Sequence, residues 1–153
     1  MIVCGMLDGY LSAFAQLRMK SGTVPTGKAL LLLSVMDLIA QGAISRNFIE
    51  LTRQLSDTFT SHQLPHFAAG HHIDMADPFV SLQEDGFWHL SPRAGNAPPP
   101  AASVTTVEQL RQVYFGARFS ADLFPLLQMQ TSRNKLRETL ITTYFQQDMQ
   151  YLL

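Results

Sequence analysis

Asp77-Pro78-Phe79-Val80-Ser81-Leu82-Gln83-Glu84-Asp85-Gly86-Phe87-Trp88-His89-Leu90 is the stretch whose reading decides the fold. Phe79 to Leu82 and Phe87 to Leu90 have the composition of strands. Asp85-Gly86 between them is a turn pair, because glycine takes positive φ without a Cβ clash. The pattern predicts a β-hairpin. Pro78 cannot donate to a ladder and is placed at a strand start or an edge. Trp88, the single tryptophan, falls on the return strand, where its large ring can be buried against helices.

Outward from the hairpin the chain reads as helix. Leu7, Tyr10, Leu11, Phe14 and Leu17 recur at helical spacing and predict an amphipathic helix ending near Lys20. A loop, Ser21 to Gly27, follows. Lys28 to Gln41 is apolar on nearly every face, with Asp37 its only acid, and Gly42 is placed to cap it in the left-handed conformation. A helix apolar all round belongs at the centre of a domain. Ala43 to Ile49 is compatible with a short strand or with the approach to a third helix. Leu51, Leu55 and Phe59 then favour helix. Pro65 to Ala76 is read as an irregular connection, and Pro92 to Ala102, with Pro98-Pro99-Pro100, as an extended loop.

Thr105-Thr106-Val107-Glu108 is a capping-box pattern and starts a helix running to about Phe115, before Gly116. Ser120 caps a short helix carrying Leu123, Leu126 and Leu127, and a last helix carries Leu136, Leu140, Ile141, Tyr144 and Phe145. The expected class is α+β, predominantly α-helical: a helical core with one β-hairpin, in an order resembling winged-helix domains. With 153 residues and 46% hydrophobic composition, the chain is read as one domain over residues 1–153, long enough for one sizeable core.

The net charge of −1 argues against a uniformly basic nucleic-acid binder. The charges are nevertheless uneven: Gly9 to Met36 contains no acid but holds Arg18, Lys20 and Lys28. One cysteine, Cys4, excludes an internal disulfide and a four-cysteine zinc site. The longest apolar run, Ala29 to Met36, is too short to cross a bilayer, and no signal-peptide pattern opens the chain. A cytoplasmic protein without a membrane partner is expected.

Catalytic patterns fail on particular residues. Gly22 to Lys28 has the spacing of a phosphate loop, but Ala29 stands where a magnesium-binding Ser or Thr is required. The same geometry supports a lesser role, a helix N-terminus and Lys28 near a phosphate oxygen. His62, His66, His71 and His72 with Asp74 and Asp77 invite a metal, yet no glutamate follows His62 as a zinc-protease motif demands. Surface histidines are the simpler account. Arg133 and Arg137, one turn apart, either grip a phosphate backbone or solvate a helix face. No cofactor, catalytic residue or metal site is expected.

Three blocks together resemble the sulfur-binding domain of HNH-type, modification-dependent (type IV) restriction endonucleases. They are Gly27-Lys28-Ala29 with the leucine run to Gly42, Pro78-Phe79 to Leu90, and Phe115-Gly116-Ala117-Arg118-Phe119 to Leu127. The resemblance covers about Leu7 to Phe145. It implies a reader of bacterial-type phosphorothioate DNA, in which sulfur replaces a non-bridging phosphate oxygen. It further implies a small apolar sulfur pocket containing Pro78 and Ser81, with Gly27 and Asp77 beside it. Phosphate contacts would come from Lys28, Arg18, Lys20 and Arg118. Gly27 and Ala29 depart from the family's histidine and proline, and Asp77 adds a carboxylate where a phosphate should approach. The family's nuclease has no match in this chain, so an HNH domain or partner would be separate. The alternative function is a protein-interaction module docking through the C-terminal helix and Tyr151-Leu152-Leu153.

Overall fold

A computed structural model describes residues 2–17, 26–63, 75–92 and 106–144. Helix α1 (Ile2–Ala15) is followed by α2 (Thr26–Ala40), strand β1 (Ile49–Glu50) and α3 (Arg53–Gln63). Next come α4 (Ala76–Ser81), a 3-10 turn (Leu82–Asp85) and β2 (Trp88–Pro92). The described chain ends with α5 (Val107–Val113), β3 (Tyr114–Phe119), α6 (Phe124–Gln128) and α7 (Gln130–Tyr144). The class is α+β and predominantly helical, as the pattern predicts.

Helix α2 is the centre. From Ala29 to Ile39 every residue but Asp37 is buried, and α3, α4, α6 and α7 all pack on it. Ser34 is tolerated there because its hydroxyl donates to Leu30 O at 2.8 Å. The helix ends where predicted: Gly42 has φ +83°, its N–H bonds Ile39 O and that of Ala43 bonds Leu38 O. This paired closure satisfies carbonyls that the helix end would otherwise orphan.

The exception, Asp37, ties three helices together. Its carboxylate accepts from His62 of α3 at 2.6 Å and from Arg137 of α7. Arg137 therefore serves the fold, and Arg133 does too, donating to Leu127 O at the end of α6. Burial pushes the Asp37 carboxyl up, but the His62 hydrogen bond and the Arg137 and His62 charges outweigh it and hold it below its ordinary value. A depressed carboxyl contributes stability above its unfolded pKa, about 4, and loses it as pH falls through the folded value. The stability gap between the parent and Asp37→Asn should therefore shrink as pH falls from about 5 to about 2. Urea midpoints at each pH measure it, and a constant gap would mean the carboxylate is not engaged.

The hairpin is corrected. Its return strand exists as β2, and Gly86 takes φ +87° before it, but Phe79 to Leu82 is no strand. Ala76 to Ser81 is helical, with Phe79 N–H bonding Met75 O at 3.0 Å. Pro78 sits at the third helical position, where its missing N–H would have found no partner within the helix. Met75, Ala76 and Pro78 to Leu82 are all buried, and a segment buried on every side shows neither helical nor strand periodicity.

The partner of β2 is β3, also unforeseen: Tyr114 to Phe119 was expected as a helix end followed by a glycine stop. The sheet order is β1-β3-β2, antiparallel throughout. Helix α5 stops at Val113 and turns directly into strand, with Tyr114 at φ −125° and ψ 145°. Thr106 caps α5, its hydroxyl accepting from Gln109 N–H, one residue later than the capping box anticipated. Asn47 extends the β1 side, its amide exchanging two hydrogen bonds with the Phe119 backbone at 2.8 and 2.9 Å.

Trp88 is fully buried, as expected. Its ring meets Phe79 and Phe119 edge-on at 5.1 and 5.2 Å, and its indole N–H donates to Phe79 O at 2.8 Å. That bond locks β2 to α4. Helix α7 turns Leu136 and Leu140 into the core and fastens to α1, the Tyr144 hydroxyl donating to Phe14 O and accepting from Leu17 N–H. The apolar face of this C-terminal helix is thus used internally along its described length. Phe145 and Tyr151 to Leu153 lie outside the described residues, as does the Pro-rich segment beyond Pro92. Among the described residues no helix is long and apolar enough to cross a membrane.

Candidate functional site

Because α4 is a helix, Pro78 and Ser81 stand three residues apart on one face. A strand would have turned them to opposite faces and required a bulge at Phe79-Val80 to reunite them. The helix makes that bulge unnecessary. Both residues are buried. The Ser81 hydroxyl is enclosed and finds no hydrogen-bond partner. Leaving such a group unmatched costs about 1–3 kcal/mol. Asp77 lies in the first turn of the same helix.

Helix α4 packs on α2, whose first turn carries Gly27 and Lys28, both buried. Lys28 is only 5% exposed, and its Nζ lies 2.9 Å from Asp85 Oδ2 and 3.8 Å from Glu84 Oε2. Asp85 comes from the 3-10 turn after α4 and is itself enclosed. Sequence reasoning missed this buried ion pair. Its signal was present, a lone lysine opening an apolar helix and an acidic pair in a tight turn, but 57 residues separate the partners.

Arg118 is exposed on β3, opposite His89 of β2 in the register. His89 Nε2 in turn lies 3.1 Å from the Ser120 hydroxyl. Arg18 and Lys20 lie outside the described residues. Pro78 and Ser81 therefore share a helix that packs on α2, the helix that carries Gly27 and Lys28, while Arg118 stands on the sheet.

The histidine set divides. His62 is engaged by Asp37, and His66, His71, His72 and Asp74 lie outside the described residues. Among the described residues no three His, Cys, Asp or Glu side chains are grouped to hold a metal. Helices α2 and α4 thus hold one partnerless hydroxyl, that of Ser81, among buried apolar residues, and the Lys28–Asp85 pair stands at the start of α2. Elsewhere, Tyr10 of α1 donates to Asp122, and burial with that bond pushes its hydroxyl up to about 12. No curated protein matches the chain. Residues 11–153 match the family described as ScoMcrA-like, DNA sulfur-binding domain.

Proposed function

We propose that this chain, which belongs to the ScoMcrA-like DNA sulfur-binding domain family, reads phosphorothioate DNA by seating the sulfur against Pro78 and Ser81. The family is one of DNA-binding domains, and binding, not catalysis, is its work. The observation that supports the seat is the shared face of Pro78 and Ser81, with an enclosed hydroxyl that lacks a partner. Gly27 and the Asp77 position border it.

The chemistry of discrimination follows from the two atoms. Sulfur is larger and more polarisable than oxygen and a poorer hydrogen-bond acceptor. A pocket formed by a proline ring and one hydroxyl leaves an oxygen under-satisfied, at about 1–3 kcal/mol. That corresponds to roughly a ten- to hundredfold preference for sulfur. Neighbouring phosphates, held by Lys28, Arg18, Lys20 and Arg118, supply the sequence-independent share of affinity. Any cleavage is assigned to a separate HNH nuclease domain or partner.

A mobility-shift comparison of matched duplexes, one with the linkage sulfur-modified and one ordinary, tests the reading directly. The modified duplex should bind about ten- to hundredfold more tightly. Equal affinities would overturn it.

Lys28 reaches a phosphate by exchanging Asp85 for it. Asp85→Asn keeps the side chain's shape and removes the competing charge, so it should tighten binding to both duplexes severalfold, equally for sulfur and oxygen. Fluorescence anisotropy across a salt series checks this. An unchanged affinity would confine Lys28 to a structural role. Either variant, Asp85→Asn or Lys28→Ala, strands one member of a buried pair, at about 3–5 kcal/mol. Asp85→Asn keeps an amide oxygen as acceptor and Glu84 at 3.8 Å from the ammonium, and urea unfolding verifies that it remains folded.

A further inference from the structure

We infer that the outer face of the sheet carries a second ligand site, which takes a purine base of the guanine type through Phe115, Glu50, Ser91 and Arg111. The inference does not depend on sulfur recognition.

The site begins with a break in the ladder. Ser91 pairs with Gly116, but Pro92 pairs with Tyr114, so Phe115 is an extra residue on β3. A bulge of this kind re-aims a side chain, and bulges gather beside functional sites. Here the re-aimed side chain is an aromatic ring left 50% exposed. Phe115 opens onto a cavity of about 480 Å³, whose other walls include Phe48, Glu50, Ser91, Arg111 and Tyr114. That size lies within the usual range for small-molecule sites, which pair apolar walls with a few convergent polar groups.

The polar groups are of complementary kinds. The Ser91 hydroxyl is enclosed and has no hydrogen-bond partner. The Arg111 guanidinium is steadied by its Nε–H bond to Leu51 O at 3.0 Å. Glu50 is exposed on β1, across Gly116 from Ser91. A planar ligand stacked on Phe115 meets a carboxylate that accepts, a hydroxyl that donates or accepts, and a cation. Guanine matches this set: two adjacent N–H groups for a carboxylate and a carbonyl for a hydroxyl. A phosphate on the same nucleotide would be drawn to Arg111. Adenine offers the carboxylate only one donor.

The probe is guanosine 5′-monophosphate, with adenosine 5′-monophosphate as comparison, titrated into the full chain and followed by amide chemical shifts. Saturable shifts at Ser91, Phe115 and Gly116, stronger for guanosine, are expected. Phe115→Ala should weaken binding about tenfold or more, the usual effect of losing a stacking ring. Glu50→Gln should abolish the preference for guanosine over adenosine while leaving Phe115-dependent binding. Both positions are exposed, and circular dichroism verifies that the variants fold. No saturable binding at millimolar nucleotide overturns the site, as does binding indifferent to both substitutions or shifts confined to the α2–α4 seat.

Discussion

Gly116→Ala is expected to detach β1 from β3 and to cost about 3 kcal/mol or more, beyond the usual range for overpacking. Gly116 does not adopt positive φ, so backbone freedom is not the reason. The reason is approach. A Cβ built there would lie 2.2 Å from Ile49 O and 3.1 Å from Ile49 C, with the Phe48 ring at 3.2 Å. The first two are backbone atoms of the neighbouring strand and cannot swing away. Only two residue pairs join β1 to β3, Ile49 with Ala117 and Glu50 with Gly116, so one displaced pair forfeits half the junction. Ile49 is fully buried, and its displacement would open the core beneath. Equilibrium urea unfolding measures the loss, with amide exchange at Ala117 and Phe119 as a local report. A variant within 0.5 kcal/mol of the parent, about the scatter of ordinary surface substitutions, would show that the strands do not approach so closely.

Ser81→Leu is expected to erase the preference for sulfur, leaving one weak, salt-sensitive affinity for every duplex. Sulfur-modified DNA would lose about ten- to hundredfold, the whole of its discrimination. Ser81 is 3% exposed, and a larger side chain occupies the space proposed for the sulfur. Ser81→Ala separates filling the seat from losing the fold. Removing a hydroxyl without a partner should leave stability unchanged or slightly higher. Oxygen, the better acceptor, loses more than sulfur when that donor goes, so discrimination should rise. Pro78→Ala should lower it by about 1 kcal/mol through lost contact area. Anisotropy titrations of the two duplexes against each variant give the ratios. Unaltered discrimination in a folded Ser81→Leu and in Ser81→Ala would place the sulfur elsewhere.

Sequence reasoning and structure agree where the cause is local. The all-apolar run from Ala29 predicted a central helix, because no face of it could be left to water. Gly42 and Gly86 were legible as left-handed positions, because a residue without a Cβ is the ready occupant of that conformation. Thr106 was off by one residue, since two threonines in succession offer the same cap. The blocks around Gly27, Pro78 and Phe115 carried the family, and the order of these short patterns was informative where each alone was weak.

What the chain itself determined is which segments are apolar, where they break, and which family of DNA readers they belong to. The tertiary structure decided the rest. It made Pro78 to Ser81 a helical face, because a segment enclosed on all sides is shaped by its neighbours more than by its own pattern. It made Tyr114 to Phe119 the central strand, because its partners lie about 70 residues upstream at Ile49 and about 30 upstream at Trp88, and no local window holds both. It joined Lys28 to Asp85 and Asp37 to His62 and Arg137, since a charge among apolar residues must find its opposite wherever the packed chain brings one. Propensity acts within a few residues, whereas burial, pairing and charge compensation act across whatever the fold places side by side.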